Sequence, residues 1–428
     1  MQTSLKEIAE QARRDRKRRF TNLGKLLNAG FLKESFSYLN KKSATGVDGI
    51  TVKEYAKDLD SNVEALVNRV KTGKYRVRFV RRKYIRKQNG KMRPLGIPTT
   101  EDKLLQTGVA RILSAIYEQD FMDTSYGYRP GRGVKGATKR LTDEVRQKYS
   151  YVVEADIRGF FDHLDHEWLM KMIDIRVGDG QIKRLIGKWL KAGILEEDGN
   201  VIRAVEGTPQ GSGISPLLAN VYLHYVLDQW FGKEIRKKCR GEAYLIRYAD
   251  DFVALFRYKE EAEMYYRELT KRMMKFGLEL AEEKTRIISF SRFRKHEKTS
   301  FSFLGIEYRW GTGPSKKDAI IRRTERKRQQ RAFKGMTQWC RENRHNRIRK
   351  QTETMKQKLQ GHYNYYGIRG NYISIAKFYE GVTRIWFRWL NRRSQRRSYT
   401  WKGFNAMLKY YEIPRPRITE KCETKQIA

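Results

Sequence analysis

The chain predicts an α+β fold in which an antiparallel sheet backed by helices is followed by a helical C-terminal region. Three observations carry that expectation. Leu245-Ile246-Arg247-Tyr248 and Phe252-Val253-Ala254-Leu255-Phe256 are short runs rich in aromatic and β-branched residues around an acidic turn, the pattern of a β-hairpin set on a core. Tyr151-Val152-Val153-Glu154-Ala155-Asp156 is another apolar run that ends at an acid, where a strand gives way to a turn and helix. Leu217, Val221, His224, Leu227 and Phe231 recur at helical spacing, which makes His224 a core-facing residue before it is a ligand.

Taken in order, residues 1–43 form a strongly basic helical extension, and Thr45-Gly46-Val47-Asp48-Gly49 is a loop with turn chemistry. From Arg76 to Arg93, nine of eighteen residues are Lys or Arg and none is acidic, and Asn89-Gly90 marks a hairpin. The segment is a β-ribbon with a basic face; a merely solvated hairpin is the plainer alternative. Residues 150–310 hold the sheet. Within them, Ser215-Pro216 opens a helix with Ser as N-cap and Pro at the first helical position. Tyr265 to Gly277 is helical, and Leu278 to Phe290 is a turn followed by a strand. Gly311-Thr312-Gly313-Pro314 marks a linker, and Lys316 to Arg331, with eight basic and two acidic residues, follows as a helix. Between Leu359 and Leu408, Tyr363, Tyr365, Tyr366, Trp386, Trp389 and Trp401 interleave with Arg384, Arg388, Arg392, Arg393, Arg396 and Arg397. Part of this aromatic set is helix-bundle core, a use the arginines do not have.

The 428 residues include 91 Lys and Arg against 49 Asp and Glu, a net charge of +42, and 39% are hydrophobic. Such a chain buries a core over two or three domains and implies a polyanionic partner. A membrane is not expected, because no apolar run approaches the length that spans a bilayer. The basic run Arg13 to Arg19 lacks the apolar stretch of a secretory signal, so a cytoplasmic location is expected. Cys239, Cys340 and Cys422 are widely separated and favour neither a disulfide framework nor a zinc site.

Asp250-Asp251 at the hairpin tip is a poor interior pair unless a cation compensates it. Magnesium is the natural candidate, since it takes oxygen ligands and shares them with phosphates. If the strand ending at Asp156 neighbours the hairpin, Asp156 and Asp250 lie side by side. They then hold two ions roughly 3.5–4 Å apart, as in-line nucleotidyl transfer requires. Alone, the turn fits a solvated acidic tip equally well. Asp162-His163-Leu164-Asp165-His166 has metal-like composition, with both histidines on the helix after Asp156. Acids near the positive end of a helix dipole explain it better, and zinc is not expected.

Several ordered blocks extend this pattern: Gly46-Val47-Asp48-Gly49, Arg93-Pro94-Leu95-Gly96-Ile97-Pro98, Ser125-Tyr126-Gly127-Tyr128-Arg129-Pro130, Gly207-Thr208-Pro209-Gln210-Gly211, Tyr248-Ala249-Asp250-Asp251 and Phe303-Leu304-Gly305. Spanning residues 44 to about 308, they resemble reverse transcriptases, and within them the bacterial group II intron-encoded maturases. Trp389-Leu390-Asn391-Arg392-Arg393-Ser394 is similar to the maturase pattern further on. The resemblance implies a right-hand polymerase, with fingers and an antiparallel palm sheet over 44–310. A helical thumb or maturase domain over 311–395 and a short basic segment over 396–428 complete it. Nothing after residue 395 matches the His and Cys pairs of the family's endonuclease domain, which is expected to be missing.

The resemblance further implies an RNA-directed DNA polymerase with two Mg2+ ions, in which Asp156, Asp250 and Asp251 are catalytic and, together with Ile157, ligate metal. It places nucleotide contacts at Lys83, Arg93, Phe161, Gln210, Gly211 and Tyr248, and a primer grip at Phe303, Leu304 and Gly305. Lys83 and Arg93 suit a triphosphate as a point charge and a bidentate donor. The Phe161 ring would collide with a 2′-hydroxyl, with Phe160 the better core residue. Ser212-Gly213-Ile214 departs from the commoner Gly-Gly-x wording. RNA contacts are expected at Arg81, Arg82, Arg388, Arg392, Arg393, Arg396 and Arg397, whereas Lys284 is either a contact to the departing pyrophosphate or, the plainer reading, a surface lysine. The implied partners are an RNA template, a DNA primer, dNTPs, and group II intron RNA in a ribonucleoprotein that serves splicing and mobility. Alternatives are a domesticated relative in phage defence, CRISPR or DNA repair, and a non-catalytic RNA-binding splicing factor.

Overall fold

A computed structural model describes residues 4–86, 92–147, 149–196, 198–202, 207, 212–297, 299–313, 316–396 and 398–420. Its strands are β1 (Val80–Arg86), β2 (Met92–Ile97), β3 (Tyr151–Asp156), β4 (Ile194–Leu195), β5 (Val201–Ile202), β6 (Ala243–Tyr248), β7 (Asp251–Phe256), β8 (Arg286–Ser289), β9 (Ser300–Phe303), β10 (Ile306–Thr312) and β11 (Asp318–Thr324). They form three sheets, ordered β2-β1-β4-β5, β6-β7-β3-β8 and β9-β10-β11. The mixed α/β character and the antiparallel central sheet agree with the sequence expectation.

In the central sheet, β6 and β7 form the predicted hairpin, with Tyr248 opposite Asp251, and β3 pairs antiparallel with β7 from Tyr151 opposite Phe256 to Asp156 opposite Asp251. Phe252 to Phe256 are all buried, because side chains alternate between two cores. Phe252, Ala254 and Phe256 join the larger core with helices Thr100–Tyr117, Ser215–Leu223 and Lys259–Lys275. Val253 and Leu255 join a second core with helix Val134–Val145 and strands β9 and β10. Burial on both faces is why this strand is continuously apolar.

The N-terminal helices Leu5–Arg14 and Ala29–Phe36 place Ile8, Ala12 and Leu32 in the same core as Leu105, Val109 and Ile112. A Ser4/Glu7 capping box starts the first of them. Helix Ser215–Leu223 begins on Ser215 itself with Ile214 at the cap, one residue earlier than expected, and continues through wide turns at His224–Asp228 and Phe231–Ile235. His224 is buried and pairs with Gln229 Nε2 at 2.8 Å.

Two expectations are corrected after the central sheet. Gly311 and Thr312 belong to β10, which pairs with β11 as far as Thr312 opposite Asp318, so the expected linker is a hairpin. The expected helix from Lys316 is strand up to Thr324, and helix Arg326–Asn343 starts beyond it. Ile320, Arg322 and Thr324 alternate on the buried face, and Arg322 is held there by Glu420 at 2.9 Å. A buried arginine reads as polar in sequence and so hid the strand period. Helices Arg326–Asn343, Ile348–Tyr366, Tyr372–Leu390 and Trp401–Tyr410 then share their own core, including Met355, Leu359, Trp386 and Phe404. Among the described residues no helix is long and apolar enough to cross a membrane.

Candidate active site

The ends of β3 and β7 bring Asp156 and Asp251 into direct register, with Asp250 next to them in the turn. Burial, and then the charges of Asp250 and Asp156, push the Asp251 carboxyl up to about 7, although the Leu304 backbone amide hydrogen-bonds it and favours the ionised form. A neighbouring divalent cation would relieve this like-charge crowding. Among the described residues no three His, Cys, Asp or Glu side chains close into a metal cage. Magnesium is held by one or two carboxylates and completes its shell with water and phosphate oxygens. The donor chemistry therefore fits the ion. Ile157, whose side chain is buried, bridges to Leu280 through its backbone.

Lys284, exposed as expected, is also ion-paired with Asp156, and that hydrogen bond raises the ammonium pKa. The Ala281 amide donates to the Asp156 carbonyl at 2.8 Å and so draws the Glu282–Lys284 turn against the end of β3.

The acidic hairpin tip is fixed from beneath. Arg247, fully buried, donates from Nε and Nη2 to Asp228 at 2.7 and 2.6 Å, and from Nη1 to Asn220 Oδ1 at 2.9 Å and the Ala249 carbonyl at 3.0 Å. Asn220 Nδ2 donates in turn to the Gly127 carbonyl at 2.7 Å. A Cβ on Gly127 would lie 2.3 Å from the Ala249 nitrogen, so this position requires glycine for close approach. Ala249 adopts φ 57° in the two-residue turn, a left-handed conformation that costs energy for alanine and that its surroundings hold in place. Arg247, Asp228 and Asn220 were not singled out in the sequence. The available signal was an arginine inside an apolar strand, which demands an acidic partner.

Phe303, Leu304 and Gly305 meet the same end of the sheet. Leu304 and Gly305 form the β9–β10 turn at φ 54° and 74°, and the Leu304 carbonyl accepts from Tyr365 Oη at 3.0 Å. Tyr248 is partly buried beside the second core. Phe160 is buried, whereas Phe161 is partly exposed with its ring edge-to-face on Phe160 at 5.4 Å. A Cβ on Gly207, at φ 85°, would meet the Asp162 and Phe161 carbonyls at 2.7 and 2.8 Å. Gln210 and Gly211 lie outside the described residues, but Gln106 Oε1 accepts from Ser212 Oγ and the Gly213 amide just beyond them. The His-rich segment resolves differently from its two-histidine pattern. Asp165 caps helix His166–Asp174 and His163 lies in the preceding turn, while His166 Nε2 hydrogen-bonds the Gly207 carbonyl at 2.6 Å.

The basic ribbon has the expected antiparallel strands, with Lys83 opposite Leu95 and exposed. Arg93 lies on β2, and its side chain is outside the described residues. Arg81 donates to Thr45 Oγ1 at 3.4 Å. Arg82 is partly buried and pairs with Glu196 at 2.9 Å, which ties the ribbon to its neighbour. Arg393 Nη2 donates to the Asn346 carbonyl at 3.1 Å, and burial lowers the pKa of this side chain. Arg388, Arg392 and Arg396 are exposed, and Arg397 lies outside the described residues.

Comparison with known proteins places the chain in a family. Residues 85–308, just over half the chain, match the family described as reverse transcriptase (RNA-dependent DNA polymerase), and the chain belongs to it. Group II intron-encoded protein LtrA of Lactococcus lactis subsp. cremoris is 42% identical over 189 residues, covering 44% of this chain and 31% of that protein. Protein YkfC of Escherichia coli K12 is 33% identical over 292 residues, covering 61% and 74% respectively. A protein in the cob intron of Schizosaccharomyces pombe is 36% identical over 168 residues, covering 39% and 20%. The chain thus spans about a third of the length of the LtrA relative.

Proposed function

We propose that the chain is an RNA-directed DNA polymerase that also binds structured group II intron RNA as a maturase. The observation that carries the polymerase reading is the register of Asp156 against Asp251, with Asp250 in the adjoining turn and the Leu304 amide on the Asp251 carboxylate. Two magnesium ions, held by Asp156, the Ile157 main chain, Asp250 and Asp251, would supply activation of a primer 3′-hydroxyl and charge neutralisation of the triphosphate. The chain's own residues do the positioning. Phe303, Leu304 and Gly305 support the primer end beside the carboxylates, and Phe161 sets a ring against the sugar of the incoming dNTP. Lys83 and Arg93 approach its phosphates, while Tyr248, Gln210 and Gly211 border the nucleotide. Lys284, already on Asp156, is placed to follow charge that develops on the leaving pyrophosphate.

In this reading residues 44–310 are fingers and palm of a right hand, 311–395 the thumb or maturase domain, and 396–428 a basic tail. Intron RNA is bound by Arg81, Arg82, Arg388, Arg392, Arg393, Arg396 and Arg397, with the N-terminal extension adding charge. The surplus of +42 and the intron-encoded name of the LtrA relative support the maturase half.

Asp250→Asn tests the centre. The substitution removes a carboxylate without adding bulk, so primer extension on an RNA template in magnesium should fall by about a thousandfold or more, each ~1.4 kcal/mol of barrier being tenfold. RNA affinity should stay near wild type. Asp156→Asn should behave alike and His163→Ala should change little. Near-normal extension by Asp250→Asn, with wild-type contamination excluded, would remove the site.

A further inference from the structure

Near the end of helix Tyr372–Leu390 an open cleft of about 510 Å3 is lined by Arg384, Phe387, Arg388, Asn391, Arg392 and Trp401. Its size lies within the ~300–1,000 Å3 range of small-molecule sites. The three arginines recur every four residues, so their stems follow one stripe of the helix at about 6 Å intervals. All three are exposed, and among the described residues no carboxylate pairs with them. Trp401 comes from the next helix, and its indole stacks on Phe387 with ring centroids 3.9 Å apart and planes 14° apart. Trp401 is nonetheless 46% exposed, so the stack covers only part of the indole. Asn391 fixes the connection between the helices, donating to the Tyr399 carbonyl at 3.0 Å and accepting from its amide at 2.7 Å.

Resting on the reading of this chain as a binder of structured RNA, we infer that the cleft captures one unpaired nucleotide of a folded RNA. The base stacks on Trp401, and the flanking phosphates are held by Arg384, Arg388 and Arg392. An ordered aromatic stack adds nothing to gripping a duplex backbone, for which arginines alone suffice. It does suit a base splayed from a bulge or loop, because base–aromatic stacking is strong and every base offers a π-face. An acidic peptide would match the charge but not the indole platform.

The test compares two RNA hairpins that differ by a single bulged nucleotide, together with a third whose bulge is abasic, binding the full-length protein at fixed salt. Wild type should prefer the bulged hairpin by about tenfold over both others. Trp401→Leu should abolish the preference, while Trp401→Phe, which keeps a platform, should retain most of it. Absence of the preference in wild type, or equal weakening of all three RNAs by Trp401→Leu, would overturn the inference. Primer extension on an unstructured template reports separately on the polymerase reading: Trp401→Leu should leave it unchanged, and its absence in wild type would sink that reading while the hairpins still decide this one.

Discussion

In the proposed function, selectivity between sugars rests on one side chain, Phe161. Its neighbour Phe160 is buried in the core, which leaves the partly exposed ring of Phe161 near the end of the strand that carries Asp156. Removing the ring while keeping a branched aliphatic stem should open space beside C2′. Phe161→Val is therefore expected to raise the efficiency of rNTP incorporation relative to dNTP by about one to two orders of magnitude, with some loss of dNTP efficiency. The measurement is the ratio of kcat/KM for the two substrates, and an unchanged ratio returns Phe161 to the core. Lys284 and Arg247 mark what single residues hide. Read along the chain, Lys284 is a surface lysine and Arg247 a charge in an apolar strand that calls for an unnamed acid, because an ion pair across 128 residues and a bidentate bond across 19 do not identify their partners locally. Each becomes visible only when the chain closes on itself.

At the scale of elements, the hairpin and the strand that pairs with it were legible because burial imposes a short apolar run on each. The β10–β11 hairpin was not, since the Arg322–Glu420 pair puts a charge on its buried face. The acidic tip itself is positioned by a second segment, Ser125 to Pro130, whose Tyr126 amide donates to the Arg247 carbonyl at 2.9 Å while the Arg247 amide donates to the Thr124 carbonyl at 2.9 Å. A methyl group on Gly127 meets backbone, which cannot rotate away, so Gly127→Ala must displace the turn that holds Asp250. A shift approaching 1 Å should lower kcat by about 10- to 100-fold with KM for dNTP little changed. Gly133→Ala, where an added Cβ meets nothing within 4 Å, is the matched control. Equal activity in the two variants would mean that the tip tolerates the approach and that the Arg247 network does not transmit it.

For the molecule as a whole, stability must respond to pH through groups buried far from the carboxylates. His362, in the C-terminal helical region, lies stacked on Phe378 with centroids 3.7 Å apart and planes 14° apart, and burial pushes its pKa down to about 4. Between pH 6.5 and 4 the unfolded chain takes up a proton here that the folded chain refuses, so this group makes stability fall as pH falls through that window. Asp120 works in the opposite sense: burial, outweighing Arg176, raises it to about 6, so the folded chain binds the extra proton between pH 6 and 3.8 and gains stability on acidification. The net profile therefore mixes both, and a variant isolates one. His362→Phe keeps an aromatic ring against Phe378 and removes the titration. Its loss of unfolding free energy between pH 7 and pH 5 should be smaller than that of wild type by about 2 kcal/mol, each tenfold difference in proton affinity between folded and unfolded chain being worth ~1.4 kcal/mol. Urea unfolding of both proteins at the two pH values, followed by circular dichroism, measures the difference. If the two lose stability in parallel, His362 takes up its proton in the folded chain as readily as in the unfolded one, and the stack with Phe378 opens to water.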